Sequence, residues 1–380
     1  MLDLPECGVS VRRALWTAAT LGAAAALAAG VVPAVAATSS PSPWHVVYRH
    51  QFAAHSYSHF TAITAVGPGQ MWAVGGYGAA GNGLAGAVLW KNHGWHVTPV
   101  PQPGTLGAIT AASADSASNA WAVTANGYVI RWDGSRWRIA KRLPEPQGGP
   151  PGDVPTGVLA ISARNVWVFY GTWRDSRGTL HGGALHDLNG TWRQLTGPGR
   201  TIIAASAATP SEFWAIGGSG SSHIRLLRYG QGRWQPVIAP ALAGLTFTSV
   251  LARRNGPVWA LGWPSIGTGA GVLMKLSGGH WSRHSLPAAI QQGPILIGAT
   301  ALAKDGHGGV WIAAPAFYPH AGHLLHFVAG TWQQIDLGAN VNARSVVAVP
   351  GSTALCAAGA AAHYQSGYST ALVWSTRSTC

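Results

Sequence analysis

The sequence VWALG at residues 258–262 is the stretch that decides the fold. Its β-branched and aromatic residues favour a packed strand, and glycine often marks the end of a strand. Near-copies recur along the chain: MWAVG begins at Met71, AWAV at Ala120, VWVF at Val166, FWAIG at Phe213 and VWIA at Val310. The stretch is therefore one copy of a repeat, which indicates an architecture of equivalent units.

The repeat has a period of 44 to 52 residues. Its strand tryptophans are Trp72, Trp121, Trp167, Trp214, Trp259 and Trp311, with Leu355 as the predicted seventh equivalent. A second series follows a glycine turn in each unit: Trp95, Trp137, Trp192, Trp234, Trp281 and Trp332. The pattern predicts four short strands per unit, which is typical of a β-propeller. We therefore expect an all-β, seven-bladed β-propeller with four-stranded antiparallel blades.

The seventh unit supplies only three predicted strands before the chain ends. They begin at Ser345, Ala354 and Ala371. The segment SPWHVVYRH from Ser42 carries Trp44, which fits the second tryptophan series although no first three strands precede it. We expect this N-terminal strand to complete the last blade and so close the ring.

The pattern VWAVG…LW…NGxxW…P resembles the repeats of secreted bacterial β-propeller proteins. The resemblance covers about residues 44 to 376. It implies the same fold. Because those proteins share no single activity, it implies no catalytic residue.

The N-terminus has the pattern of an export signal. Arg12 and Arg13 precede an uncharged run at residues 14–36 that ends in an Ala-Val-Ala cleavage pattern. We expect residues 1–36 to be a signal peptide, 37–43 a short linker and 44–380 the propeller. An uncleaved membrane anchor is the alternative, since about 20 apolar residues span a bilayer, but Pro33 breaks this run. Removal would leave a secreted, extracellular or cell-wall-associated monomer without a stable membrane span.

Charge and cysteines leave two questions open. The net charge is +13, and it is unchanged by loss of the signal because Arg12 and Arg13 balance Asp3 and Glu6. Such a charge attracts polyanions or keeps a protein soluble, and no motif predicts specific nucleic-acid binding. The mature chain keeps Cys356 and Cys380, which form a disulfide or remain two separate thiols.

Subtraction of the repeat leaves two tryptophans, Trp173 and Trp263, as candidates for function. Both are predicted in loops between the second and third strands, at the face where propellers usually bind ligands. The predicted ligand-binding residues are Trp173, Arg174, Arg177, His181, Trp263, Tyr318, His320, His323, Tyr364 and Tyr368. The same rim holds Tyr77, His363 and, from the first interblade connection, His55, Tyr57 and His59. Each tryptophan either stacks on a ligand or covers its own loop, and each arginine either binds an anion or stays solvated.

The sequence favours binding over catalysis. His320, His323 and His326 suggest a metal, but a spacing of three places His323 and His326 on opposite faces of a strand, so we predict no metal site and no cofactor. A glycosidase needs two facing carboxylates, whereas most of the nine mature acids lie in turns and none in a predicted innermost strand. The leading hypothesis is a secreted, non-catalytic propeller that binds a glycan or cell-wall polymer. The alternatives are a metal-dependent hydrolase or oxidase that uses the rim histidines, and a protein–protein scaffold.

Overall fold

A computed structural model describes residues 43–79, 83–143, 155–174, 180–196, 201–218, 224–265, 270–287, 301–314, 322–363 and 367–377. The predicted signal peptide and all but the last residue of the linker lie outside these ranges. The described residues form 28 strands, one helical turn at Pro103–Leu106 and a 3₁₀ turn at Pro240–Leu242. None of their helices is long and apolar enough to cross a membrane.

Twenty of the strands form five four-stranded antiparallel sheets, each in chain order. The second sheet contains β6 (Ile109–Ser116), β7 (Asn119–Thr124), β8 (Tyr128–Trp132) and β9 (Trp137–Arg142), and the third β10 (Pro155–Ser162), β11 (Asn165–Arg174), β12 (Leu180–Leu188) and β13 (Thr191–Thr196). The fourth contains β14 (Thr201–Thr209), β15 (Glu212–Gly218), β16 (Arg225–Gly230) and β17 (Arg233–Pro236). The fifth contains β18 (Leu245–Leu251), β19 (Val258–Pro264), β20 (Val272–Ser277) and β21 (His280–Ser285), and the sixth β22 (Leu302–Lys304), β23 (Val310–Ala314), β24 (His323–Val328) and β25 (Thr331–Asp336).

The remaining eight strands form one sheet from both ends of the chain. The first group is β2 (Tyr57–Gly67), β3 (Gln70–Gly78), β4 (Leu84–Lys91) and β5 (Gly94–Val97). The last group is β26 (Val341–Ala348), β27 (Leu355–His363) and β28 (Tyr368–Ser375), with β1 (His45–His50) antiparallel to β28. A single parallel pairing of Tyr57 with Ser369 joins the two groups. The predicted all-β chain of four-stranded antiparallel sheets is confirmed.

Buried apolar clusters lie between the groups of strands. The cluster around Trp72, Ile109 and Trp132 joins the first group to the second, and the others join each group to the next in the same way. A seventh cluster, which includes Phe60, Met71 and Cys356, joins the last group to the first. The strand tryptophans are thus buried between sheets, as expected for side chains that fill the gaps of this architecture.

The glycine of the WALG motif allows the innermost strand to approach the second strand closely. A Cβ atom on Gly75 would lie 2.1 Å from the carbonyl oxygen of His59, and one on Gly359 would lie 1.9 Å from that of Asn342. Gly217 and Gly262 have equivalent backbone contacts at 2.5 and 2.9 Å. No residue with a Cβ atom fits at these four positions unless the strand shifts.

Next to these contacts, each described innermost strand apart from short β22 has a β-bulge. The bulged residues are Thr61, Thr110, Thr156, Ile203, Thr248 and Arg344. A bulge re-aims its side chain. The hydroxyl of Thr61 donates to the carbonyl oxygen of Ile109 at 2.6 Å, and Thr110 donates to that of Pro155 at 3.1 Å. Thr61, Thr110 and Thr156 therefore bond to the innermost strand of the following sheet, whereas Thr248 does not make this bond in the described structure.

The register corrects the predicted equivalence of Leu355. The motif glycine Gly359 pairs with Ala343, just before the bulge at Arg344, as Gly75 pairs with Phe60 before the bulge at Thr61. Counting back three residues from each glycine makes Cys356, not Leu355, the equivalent of Trp72. Cys356 is fully buried and disulfide-bonded, and its partner lies outside the described residues.

Five strand tryptophans carry a cation or an imidazole directly across on the third strand. Arg131 lies 5.3 Å from the ring centre of Trp121, and Lys275 lies 5.0 Å from that of Trp259. Arg228 occupies the same position over Trp214, while His186 and His326 stack on Trp167 and Trp311. Cation–π contacts of this kind stabilise a fold modestly at exposed sites. Three of the cations therefore take part in packing within their own sheets.

Candidate functional site

The two ends of the sheets differ in composition. One end carries the loops between second and third strands and the connections between sheets, and we call it the loop end. The opposite end carries the turns between first and second and between third and fourth strands, and we call it the turn end. Five of the six acids in the described ranges, Asp115, Asp133, Asp187, Glu212 and Asp305, lie at or beside the turn end. Asp336 ends the outer strand β25 at the loop end. The described part of the loop end therefore offers no carboxylate pair.

The acids mainly serve the backbone and neighbouring side chains. Asp133 accepts hydrogen bonds from the N–H groups of Ser135 and Arg136, and Asp305 accepts from those of His307 and Gly309. The prediction that no acid lies in an innermost strand is wrong for Asp115, which is near the end of β6. Its carboxylate accepts a bond from Asn119, which holds the indole N–H of Trp121 at 2.9 Å. Asp115 thus helps to hold Trp121 in place through Asn119.

A cavity of about 540 Å³ lies at the turn end between the fourth and fifth sheets. Its walls include Arg228 and Arg253, but both are already bound. Arg228 pairs with Glu212 at 2.8 Å and lies over Trp214. Arg253 donates to the carbonyl oxygen of Gly309 and lies 3.8 Å from buried Asp305. Two of the three arginines of this cavity are therefore bound within the fold, and the third, Arg254, is exposed, so it is a weak candidate for a ligand site.

The structure describes six of the ten predicted ligand-binding residues at least in part. Trp173 and Arg174 lie in β11, where they pair with His181 and Leu180 of β12. These positions belong to a strand hairpin that is longer than predicted, not to a loop. Arg177, Tyr318, His320 and Tyr364 lie outside the described residues, and so do the side chains of Trp173, Arg174 and His181.

Trp263 is also a strand residue, in contrast to the loop placement that we predicted. It lies in β19 and pairs with Thr246 of β18. Its indole covers Gly271, since a Cβ atom there would lie 2.7 Å from Nε1 of the ring. The ring also packs against the cluster between the fifth and sixth sheets. Of the two interpretations of Trp263, the geometry favours covering its own hairpin.

His323 and His326, the two described histidines of the HAGHLLH segment, are separated by the register of β24. His326 stacks on Trp311, with ring centres 4.2 Å apart, and its Nε2 atom lies 3.0 Å from a carboxylate oxygen of Asp305. His323 lies near the other end of the strand, opposite Asp336, and burial lowers its pKa. Among the described residues no group of three or more His, Cys, Asp or Glu side chains could hold a metal ion.

Four rings lie near one another at the loop end where the first and last groups of strands join, three through ring contacts and Tyr57 through its backbone pairing with Ser369. We call His55, Tyr57, His363 and Tyr368 the joint surface. The rings of His363 and Tyr368 are 4.7 Å apart, and His55 approaches Tyr368 edge-on at 6.1 Å. Tyr57 is 42% exposed, and His55 and His363 are also exposed. The structure therefore brings the predicted residue Tyr368 together with three of the other rim residues.

Buried serines fix the position of the joint surface. Ser369 donates its hydroxyl to the carbonyl oxygen of Ser58 at 3.0 Å, which ties β28 to β2. Ser58 accepts the backbone N–H of Phe52 at 3.1 Å, and Ser56 donates to the carbonyl oxygen of Ala53 at 2.7 Å. Buried polar groups with satisfied partners specify one arrangement. The rings thus stand on a rigid support.

Beside the joint surface, His59 of β2 lies near Arg344 of the adjoining innermost strand β26. His59 follows Tyr57 by two residues and so shares its side of β2. Burial and then the charge of Arg344 lower the pKa of His59 from 6.5 to about 4, and burial lowers the pKa of Arg344. The site therefore combines a neutral imidazole with a guanidinium cation.

Sequence reasoning missed Arg344. It is the one arginine in an innermost strand that the structure describes, in the segment VNARSVVA, where other sheets place threonine or isoleucine. A cation among small and apolar residues was a visible signal. Its proximity to His59 was not, because the two lie near opposite ends of the chain.

Comparison with known proteins supports the fold. No family model matches the chain, and no curated protein matches it. Among solved structures, YCF48 bound to a D1 peptide has a TM-score of 0.57 and 15% identity, over 89% of this chain and 98% of that one. The extracellular domain of the putative hybrid two-component system BT3049 from B. thetaiotaomicron has a TM-score of 0.55 and 13% identity, over 88% of this chain and 41% of that one. The GH74 enzyme of Niastella koreensis has a TM-score of 0.53 and 13% identity, over 83% and 52%.

These likenesses, together with the four-stranded sheets, show a β-propeller fold. At 13–15% identity they show the fold alone. The names of the three proteins indicate different roles, and one fold commonly hosts many functions. Function must therefore be argued from the residues of this chain.

Proposed function

We propose that this protein is a secreted, seven-bladed β-propeller that binds an extracellular glycan or cell-wall polymer at its loop end and performs no chemistry on it. The blade number is supported by the single Tyr57–Ser369 pairing, at which the eight-stranded sheet divides into two groups of four. Closure of the ring is supported by the pairing of β1 with β28 and by the cluster between the last and first groups.

The joint surface is the observation that carries the binding proposal. Sugar rings present apolar C–H faces and hydroxyl edges, which suit rings that have both an apolar face and a polar edge. Tyr57, Tyr368 and the two histidines offer four such rings on a support of buried hydrogen bonds. The described part of the loop end has one acid, Asp336, on an outer strand, which supports binding rather than glycoside hydrolysis.

Export to the cell exterior is part of the same proposal. It rests on the N-terminal charge, the apolar run and the Ala-Val-Ala pattern at residues 34–36. N-terminal sequencing of protein collected from culture medium is expected to begin at Ala37. A protein that stays in the membrane fraction with its N-terminus intact would favour the uncleaved anchor instead.

The test of binding is co-sedimentation of the mature protein with insoluble cell-wall polysaccharides. Replacement of Tyr57 and Tyr368 by alanine is expected to weaken retention about tenfold, because each stacked ring contributes roughly 0.5–1.5 kcal/mol. Tyr128→Ala is the matched control, since this tyrosine lies in the second sheet beneath Arg142. Unchanged retention of the double variant would remove the joint surface from the proposal.

Two further results would favour the alternatives. If no polysaccharide retains the wild-type protein, a glycan partner is contradicted and a protein–protein scaffold is favoured. If elemental analysis of the purified protein finds a stoichiometric metal, a hydrolase or oxidase that uses the rim histidines is favoured.

A further inference from the structure

Arg344 is a half-buried cation without a partner in the described structure. Neither its guanidinium nor the ring of His59 makes a hydrogen bond or an ion pair to any described residue. By contrast, Arg138, Arg228 and Arg253 each pair with a carboxylate. None of the eight strands of its sheet contains an aspartate or a glutamate. A cation removed from water is costly unless it is paired, so its environment favours an incoming anion.

The bulge determines where Arg344 lies. It occupies the position at which Thr61, Thr110 and Thr156 bond to the innermost strand of the following sheet. For Arg344 the adjoining strand is β2, which carries His59 on the same side as the exposed Tyr57. The backbone around the bulge is held by the close contact of Gly359 with Asn342. The cation is therefore positioned beside the joint surface by the backbone rather than by a flexible loop.

We propose that Arg344 anchors a carboxylate-binding subsite beside the joint surface, so that the ligand is an acidic glycan containing uronic acid units. The assignment of the carboxylate to a glycan rests on the function proposed above. A planar guanidinium donates two parallel hydrogen bonds to a carboxylate, which a neutral sugar does not offer. His59, held neutral, adds a hydrogen-bond donor or acceptor without a second charge. One positive charge matches a carboxylate better than it matches a dianionic phosphate.

The experiment compares the binding of oligogalacturonate with that of its methyl ester by calorimetry. The wild-type protein is expected to bind the acid form about tenfold more tightly or better, because charge-assisted bonds replace neutral ones. Arg344→Gln is expected to abolish this preference, so that the variant binds the acid and the ester with equal affinity. Arg49→Gln, which removes the same charge from an exposed position of β1, is the matched control and is expected to keep the preference.

A second measurement does not require the polymer. The ring signals of His59 are titrated by NMR with and without free galacturonate. A carboxylate bound to Arg344 offsets its positive charge and is expected to raise the pKa of His59 from about 4. The pKa is expected to stay constant on addition of galacturonate in the Arg344→Gln variant. A pKa that also stays constant in the wild-type protein would overturn the subsite.

The outcomes separate this inference from the proposed function. Equal affinity for acid and ester would overturn the carboxylate subsite and leave glycan binding intact. Absence of binding to either oligosaccharide, with a response of His59 to galacturonate, would keep the subsite and contradict the glycan. Poly-glutamate of equal charge that binds as tightly through Arg344 would overturn the glycan assignment in favour of an acidic peptide.

Discussion

Replacement of Trp44 by alanine tests whether β1 is an integral strand of the last blade. Trp44 is 7% exposed, and its ring contacts Trp311 of the sixth sheet edge-on at 5.4 Å. It therefore fills the gap between the sixth and last groups of strands, although it lies at the other end of the chain. Removal of a buried tryptophan typically costs about 3–5 kcal/mol, because it leaves a cavity and loses apolar burial. We expect a loss of this size in the free energy of unfolding.

Trp137→Ala is the matched control for this prediction. Trp137 lies on the outer strand of the second sheet, is 3% exposed and contacts Trp132 edge-on at 5.8 Å. It also donates a hydrogen bond to Thr98, and the loss of this bond contributes about 1 kcal/mol to the cost of Trp137→Ala. Both are measured by guanidinium denaturation, followed by circular dichroism. If Trp44→Ala lowers the free energy of unfolding by under about 1 kcal/mol while Trp137→Ala lowers it by about 3–5 kcal/mol, β1 contributes no essential packing. This result would contradict closure of the ring by β1.

Deletion of residues 1–50 tests whether the backbone pairing of β1 with β28 is needed. Without β1, the edge of β28 is exposed from Ala371 to Ser375. Unpaired strand edges promote association with other chains. We expect the shortened chain to aggregate and a peptide of residues 43–50 to prevent the aggregation, whereas a scrambled peptide does not.

Three further predictions follow from other contacts. Asp305→Ala is expected to destabilise the protein by about 3–5 kcal/mol because it leaves buried Arg253 unpaired, as denaturant titration would measure. Burial opposes ionisation of Asp305, but hydrogen bonds from His326, His307 and Gly309 outweigh this effect and lower its pKa below 3.8. The contribution of Asp305 to the free energy of unfolding is therefore complete above pH 3.8, and it is lost as the pH falls through the lower pKa of the folded state. Trp263→Ala is expected to lower the free energy of unfolding without changing polysaccharide retention, and reduced retention would restore the ligand-stacking interpretation. Thiol titration of the denatured, unreduced secreted protein is expected to find no free thiol. The reason is that Cys380 is the one cysteine left to pair with Cys356 once the signal is removed. One or more reactive thiols per chain would contradict this prediction.

The repeat was predictable because its signals are local. Tryptophan, glycine and turn residues recur within each unit, and each unit forms its sheet from consecutive strands. The errors arose where local signals are ambiguous. The hairpins at Trp173 and Trp263 extend further than their residue types suggest, since pairing with the neighbouring strand overrides turn propensity. The predicted equivalence of Leu355 was wrong by one residue because the second strand of the seventh unit has no tryptophan to mark the register.

The residue types of the candidate site were predictable from the sequence, but their positions relative to one another were not. The rim residues His55, Tyr57 and His363 were visible as aromatic and imidazole side chains outside the repeat. Their meeting with Tyr368 depends on contacts between the two ends of the chain, which no local pattern encodes. The serine bonds that support them have the same dependence on long-range contacts.

The positive charge of the chain illustrates why a site must be argued from contacts rather than from composition. A net charge of +13 suggests a surface for polyanions, yet Arg131, Arg228 and Lys275 lie over tryptophan rings within their own sheets. Cations that pack within the fold contribute to stability and are less available to a ligand. Arg344 differs because it replaces a bulged threonine in a sheet without acids, so that its charge is left for a partner outside the fold. Loss of anion preference in Arg344→Gln but not in Arg49→Gln is therefore the result that would separate a specific site from general electrostatic attraction.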